Sequence, residues 1–536
     1  MFLTTKKFIL ALVPVFIFSL LAHDAMAQTK TKKVTVQQGE EVDTKRSSIR
    51  EIAGYDETGY YTVRAEKTHL FIEHLNKQMN VDKSTQISEG DEEYYNYSAL
   101  MEGNFYLFSI ETDKKALTTT LFYQKVDKKT LVAEVDPHPL IVTKMASKRD
   151  VYGHFTHNIS PDESKLLYYS KDSDKDENGD MRDDSRFHLT VFDSKMAKVW
   201  TKDIKIPIPP AQFTVQQVKV DNSGTVYIIG IEYEEKSDAR VSRREGNPTY
   251  KYRIYRYSNN GTEMVSMPIE LKDKFITDVQ IDGAPNGDLV AAGFYSDKGT
   301  YSVKGAFYIR LDGKTQQVVV SNFKPFESDF ITEYFTEKEK KKSEKKEAKG
   351  QEQELFSFEM DELLIRTDGG ATLIAEQYRT YTVCTTSTNA NGGTTTTCRT
   401  YYVYNDIMVI TFNADGSIAW KCKIPKRQTT QEDGGYYSSY TYAAVDDKLY
   451  FIYNDNPKNL YLTSGEKIYN YIPSKEAAVI LAEVDANGKV TRELLLTTEK
   501  GELNIRPKMC TQTGAKEMII LAQESKTYQF SKVTFK

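Results

Sequence analysis

The residues best placed by type and spacing to do chemistry lie in SKDSDKDENGDMRDDSRF, Ser170 to Phe187. Asp174, Asp176 and Asn178 sit at alternate positions, and Gly179 and Asp180 follow. Alternate oxygen ligands with a glycine at the sharp turn are how a loop wraps a hard cation. Asp174, Asp176, Asn178 and Asp180 are therefore the candidate calcium ligands, with a structural rather than catalytic role expected. The spacing departs from the EF-hand pattern where that pattern needs a bidentate acid. Arg182 and Ser185 hold those places unless Asp183 or Asp184 substitutes. The other reading of the stretch is a polar hairpin tip joining LLYYS to FHLTVF.

His154 and His157 form an H-x-x-H pair, and His188 follows in the same unit. Three histidines can ligate zinc, but no H-E-x-x-H pattern or acidic partner supports them, so structural histidines are expected. Cys384 and Cys398 flank TTSTNANGGTTTT. Antiparallel pairing of RTYTV with RTYYV about that centre sets Cys384 opposite Cys398 and Tyr381 opposite Tyr401. Directly opposed ladder positions lie within disulfide reach. Cys422 and Cys510 are expected to be buried free thiols.

Several enzyme chemistries leave signatures that can be looked for. The chain has no repeated S-x-D-x-G-x-T-W turn of sialidase type and no G-x-S-x-G nucleophile motif. Two tryptophans, Trp200 and Trp420, cannot supply the many tryptophans of quinone-cofactor repeat enzymes. Glycosidase chemistry needs two carboxylates at set distances, and 76 acidic residues do not single out a pair.

The elements that would hold these residues follow from patterning. Lys6 and Lys7, the apolar run Phe8 to Leu21 and Ala25-Met26-Ala27 are the parts of a secretory signal peptide over residues 1–27. The run is short for a membrane span, which needs about 20 apolar residues. No later segment is apolar enough to span. Removing residues 1–27 takes Lys6, Lys7 and Asp24, moving the formal charge from −5 to −6. Near-balanced charge argues against a nucleic-acid partner.

From residue 28 onward, two apolar-rich runs joined by an Asp/Asn/Gly turn recur. The pattern starts at Ala53, Ser98, Asn158, Phe213, Val279, Ile365, Ala443 and Cys510. Such turn residues tolerate the backbone that tight hairpins need. Third strands such as FHLTVFD, YRIYRYSNNG, AFYIRLDG, IMVITFNADG and VILAEVDANG follow the pairs. Fourth strands such as KVWTKDIKI, MVSMPIEL and IAWKCKIP come next. Four antiparallel strands repeated at this period predict an all-β fold, a β-propeller of four-stranded blades. The last unit has three strands, and VTVQQGEEV, Val34 to Val42, has no partner of its own. Pairing it into the last unit would remove two open edges. Eight blades closed by an N-terminal strand over residues 34–42 are therefore expected, all in one domain over residues 28–536. Seven blades and a pair of packed sandwiches are the alternatives.

The unit HNISPDESKLLYYSKD, His157 to Asp172, resembles the SPDG-type repeat of TolB-like and WD40-like (PD40-type) propellers, with Glu163 where the repeat has glycine. The chain is also similar in style to exported proteins of Bacteroidetes bacteria. The resemblance implies the fold and no activity.

Two charged insertions interrupt the repeat. Phe330 to Gln353 is rich in Glu, Lys and Ala and favours helix, as a solvated linker or a docking arm. Glu234 to Tyr250 presents a basic tip at Arg240, Arg243 and Arg244. The leading expectation is an exported, monomeric binding or scaffold protein of the bacterial envelope, periplasmic or extracellular, presenting tyrosines to a protein or glycan. The alternative is a hydrolase or lyase acting on polysaccharide or peptide in a central channel, lined by His69 and His74 or by His154 and His157. A calcium-stabilised adhesion module is the third reading.

Overall fold

The structure, a computed structural model, describes residues 28–43, 47–89, 95–145, 155–176, 179–245, 247–269, 271, 274–297, 299, 302–315, 317–348, 354–388, 393–473, 477–498, 504–524 and 527–536. The signal-peptide segment, His154 and Asn178 lie outside these residues.

All eight hairpins read from the sequence are present, each opening an antiparallel sheet of four strands or more. The first sheet begins with the strand Ser47–Tyr55, the second with Tyr95–Met101, the third with Phe155–Ile159 and the fourth with Phe213–Val220. The fifth begins with Phe275–Gly283, the sixth with Phe358–Ile365, the seventh with Thr441–Val445 and the eighth with Thr511–Gly514. The turns work as their residues require. Asp221 accepts from the backbone N–H of Ser223 and Thr225, each at 2.9 Å, and Gly224 takes φ +84°. At the SPDE turn the missing glycine leaves Glu163 itself in the left-handed region, at φ 60°.

Each second strand is buried on both faces, because successive side chains point to opposite neighbours. Ile228 packs with Leu189 and Val191 of the third sheet, whereas Ile229 packs with Val279 and Ile281 of the fifth. The same alternation places an apolar cluster between every consecutive pair of sheets. A further cluster, including Ile49 and Tyr60 with Ile519 and Phe530, joins the eighth sheet to the first. Blade-like sheets stacked face to face in this way are the arrangement of a β-propeller.

The N-terminal strand Val34–Gln38 pairs antiparallel with Thr527–Phe535, Val34 opposite Phe535 and Val36 opposite Val533. It is shorter than the expected 34–42. Gly39 interrupts it where a Cβ would lie 2.2 Å from the Met79 carbonyl oxygen, and pairing resumes at Val42–Asp43.

Both charged insertions contain helix. Glu337–Glu347 is helical as expected, opened by Thr336, whose N–H and hydroxyl both reach the Glu339 carboxylate. Lys236–Glu245, read only as a basic tip, is also a helix. It has an acid in its first turn and no glycine or proline until Gly246, so nothing in its sequence breaks it. Cys384 and Cys398 are disulfide-bonded and Tyr381 stacks on Tyr401, in the register the sequence set. Cys422 is buried, whereas Cys510 is half-buried rather than fully so. Burial pushes both thiols up to about 12, so neither is a ready nucleophile. No helix among the described residues is long and apolar enough to cross a membrane.

Candidate functional site

The first strands of neighbouring sheets pack directly on one another at four junctions, the first with the second, third with fourth, fifth with sixth and seventh with eighth. Their polar side chains are therefore brought together. β-Bulges interrupt several of these strands, at Gln216, Thr277 and Asp361 among others, and a bulge re-aims the side chains around it. Asp278 shows the result. Its carboxylate accepts from Gln216 Nε2 of the fourth sheet at 2.9 Å and from the Met360 N–H of the sixth at 2.7 Å. One carboxylate thus ties three first strands together. Burial pushes it up to about 6, against the pull of those donors.

The strand Phe358–Ile365 carries three more acids, Glu359, Asp361 and Glu362. Asp361 keeps a water-facing surface, but protein around it withdraws solvent from its other sides. That burial and the nearby Glu376 charge raise it to about 7, although Tyr440 donates a hydrogen bond to it. Burial also raises Glu359, helped by the charges of Asp278 and Glu376, and Glu362, opposed by Lys219.

Two cavities are each lined by two of these acids. One of about 520 Å³ lies where the sixth, seventh and eighth sheets meet, lined by Asp361, Glu362, Tyr440, Tyr442 and Lys508. The Lys508 ammonium bonds the Tyr404 hydroxyl at 2.6 Å, and burial lowers its pKa. The other cavity, of about 500 Å³, lies at one end of the fourth, fifth and sixth sheets. Tyr233, Tyr250, Tyr252 and Tyr378 line it together with Asp278, Glu359 and Arg379. This gathering is local. Most large buried rings, Tyr61, Tyr168, Tyr308, Tyr453 and Tyr528 among them, sit between sheets, so tyrosine abundance as such marks packing and not a binding mouth.

The residues singled out in the sequence are elsewhere. Lys171 pairs with Asp174 at 2.6 Å, and Asp176 accepts the Asp180 N–H at 3.0 Å. Among the described residues no group of three or more His, Cys, Asp or Glu side chains converges as a metal site. His157 stacks on Tyr97 with ring centroids 3.6 Å apart, and burial holds it down at about 4 although part of its surface stays open. His188 lies two strands away from it in the third sheet, so the two do not form a joint site. His69 and His74 are on the third strand of the first sheet and not on its first strand. They do not line the face where first strands meet.

His188 has a different use. Its ring nitrogens bond Asp203 and Asp172, each at 2.6 Å. The Asp172 hydrogen bond, reinforced by Asp203, raises it to about 9, so it is an imidazolium at neutral pH. A histidine raised in the folded state stabilises fully below its unfolded value of about 6.5 and loses that contribution as pH rises through about 9. His188→Gln is therefore expected to lower the melting temperature most below pH 6.5, with the gap to the parent closing by pH 9. An imidazole titrating near 6.5 by NMR would show that the two carboxylates do not hold it.

No family model and no curated protein matches the chain. Among solved structures it is similar to the WD40 domain of SCAP from fission yeast, at 8% identity over 94% of this chain and 98% of that one, TM-score 0.39. It is similar to polysaccharide lyase Uly1 at 9% identity over 93% and 99%, TM-score 0.37. It is also similar to prolyl oligopeptidase B from Galerina marginata at 8% identity over 90% and 56%, TM-score 0.38. Likenesses at this level say nothing about activity, ligand or partner.

Proposed function

We propose that the chain is an exported, eight-bladed binding propeller, closed by the strand Val34–Gln38, that recognises a glycan in the tyrosine-lined cavity. The eight blades and their closure are supported by the succession of apolar clusters that returns to the first sheet. The observation that carries the function is the cavity wall itself. Four tyrosines share it with two carboxylates and a guanidinium. Flat amphipathic rings among short hydrogen-bonding groups suit a polyhydroxylated ligand, since rings cover its apolar faces while carboxylate and guanidinium take its hydroxyls. Tyr378 is the ring to test, because it is half-buried on the cavity wall, its hydroxyl 3.3 Å from that of Thr380. Tyr378→Ala is expected to weaken binding of oligosaccharides at least tenfold by calorimetry, about 1.4 kcal/mol. Tyr461→Ala, 85% exposed on another loop, should leave it unchanged. Equal affinity in both variants would remove the cavity from consideration.

A hydrolase or lyase is the second reading, favoured by two carboxyls on the wall of the same cavity, Asp278, which burial raises to about 6, and Glu359, which burial also raises. Product released from the same oligosaccharides, and lost in Glu359→Gln, distinguishes it from binding alone. Repeating the titrations with a chelator tests calcium at Asp174, Asp176, Asn178 and Asp180.

A further inference from the structure

We infer that the exposed ribbon of the sixth sheet is the second half of the glycan site, so that the ligand is a linear chain which leaves the cavity and runs along it. The inference rests on the glycan reading above.

The ribbon is the outer part of two long strands, Ala371–Thr388 and Thr394–Phe412. The strand beside them ends its pairing at Phe358, opposite Gln377, and the register shifts at the same place. Beyond that bulge the second strand still pairs, Tyr401–Tyr404 with Gln428–Gln431, and residues 379–388 are exposed. Tyr378, Arg379 and Thr380 belong to both structures. They line the cavity and they are the root of the ribbon.

Alternation sorts the ribbon into two faces. One carries Tyr378, Thr380 and Tyr402 at its root and then threonines and the disulfide, with Thr382 bonded to Thr400 at 3.2 Å and Thr386 to Thr396 at 3.0 Å. Its hydroxyls are turned on each other. The other face carries Arg379, Tyr381 and Val383, with Tyr401 and Arg399 across the pair. The Arg379 guanidinium lies 5.3 Å over the Tyr381 ring, and Tyr381 and Tyr401 stack with centroids 5.1 Å apart at 11°. Arg379 is the cavity-lining residue on this face, Tyr378 and Thr380 being on the other, so the guanidinium is what carries the cavity wall onto the tyrosine pair.

A free two-stranded ribbon is marginal in water. The bond between Cys384 and Cys398 joins its strands beyond the tyrosine pair, and a ligand that finds the ledge already formed avoids the entropy of ordering it. An extended peptide could instead pair with the ribbon's open edges. Such an occupant would use backbone groups, whereas the continuous feature here is a face of rings and cations, which favours the glycan.

The test is calorimetry on the mature chain with cello-, xylo-, manno-, chito- and alginate oligosaccharides, each from disaccharide to octasaccharide. For the series that binds, affinity is expected to rise about tenfold or more with length. The Tyr381→Ala/Tyr401→Ala double variant should lose that gain while keeping disaccharide binding, which also reports that it is folded. Thr382→Val/Thr400→Val, on the opposite face, should keep both. If disaccharides bind but affinity is flat with length, or the tyrosine variant keeps the gain, the inference falls and the cavity reading stands. If the gain is lost only in the threonine variant, the inference falls as well. If no member of any series binds, the glycan reading falls and takes the inference with it.

Discussion

Replacing Lys426 by methionine is expected to destabilise the protein by about 3–5 kcal/mol, the effect of leaving one partner of a buried ion pair alone. The Lys426 side chain is 0% exposed, and that of Glu376, which it contacts, is 4% exposed. Lys426 Nζ also donates to the Tyr404 carbonyl at 3.1 Å and to Gln428 Oε1 at 3.2 Å. Gln428 in turn donates to the Asn454 carbonyl, and Asn454 donates to the carbonyls of Tyr437 and Ile505. The lysine therefore sits where polar ties from the sixth, seventh and eighth sheets converge. In Lys426→Met the Glu376 carboxylate is left buried without its cation, with the Ser439 hydroxyl at 2.7 Å. Urea denaturation reads the loss. The double variant Lys426→Met/Glu376→Leu removes both charges and should recover part of the loss. A single-variant loss below about 1 kcal/mol would mean the pair is not isolated from water.

That network was invisible in the sequence, for a physical reason. Lys426 and Glu376 are two among 71 basic and 76 acidic residues, and only the fold distinguishes a charge sealed between sheets from one in water. The acids of FEMDELLI were hidden in the same way. The stretch reads as an ordinary strand, and the bulge that re-aims side chains around Asp361 depends on the partner strand and not on local composition. What was legible had local causes. Asp-Asn-Ser-Gly and its relatives close hairpins wherever they occur, so every first and second strand was found. The symmetry of RTYTV and RTYYV about one centre fixed the Cys384–Cys398 register before any coordinates. The calcium candidates were read from spacing alone; Asp174 faces Lys171, Asp176 accepts from the Asp180 N–H, and Asn178 lies outside the described residues. The helix Lys236–Glu245 was missed because its charges drew attention to a surface role, and a charged surface is compatible with helix or loop.

The N-terminal strand makes the second large effect. Val36→Asp is expected to cost about 3–5 kcal/mol, and Thr35→Asp, one residue away, less than about 1 kcal/mol. Val34 and Val36 are both 0% exposed, packed with Phe535, Val533 and Ile520 and with Tyr450 and Ile452 of the neighbouring sheet. Thr35 points the other way from the same five-residue strand and is only half-buried. An aspartate at 36 has to be buried without a cation or to pull the strand off its partner. In the second case the edge of Thr527–Phe535 is opened, and an open edge recruits other chains. Loss of stability should therefore come with self-association, visible as a concentration-dependent rise in mass by light scattering. A chain beginning at residue 44 should behave the same way and more severely. It loses both valines, whose burial is worth about 1.5–3 kcal/mol each. It also loses the ladder with Thr527–Phe535 and the Lys33–Glu483 pair at 2.7 Å. If Val36→Asp and Thr35→Asp prove equally mild, the strand is an appendage. The last sheet would then be held by the clusters around Ile519 and Phe530 and around Met518 and Ile520, without the strand. If only Val36→Asp is severe, the strand Val34–Gln38 holds the strand Thr527–Phe535, and the last sheet cannot complete until both are in place.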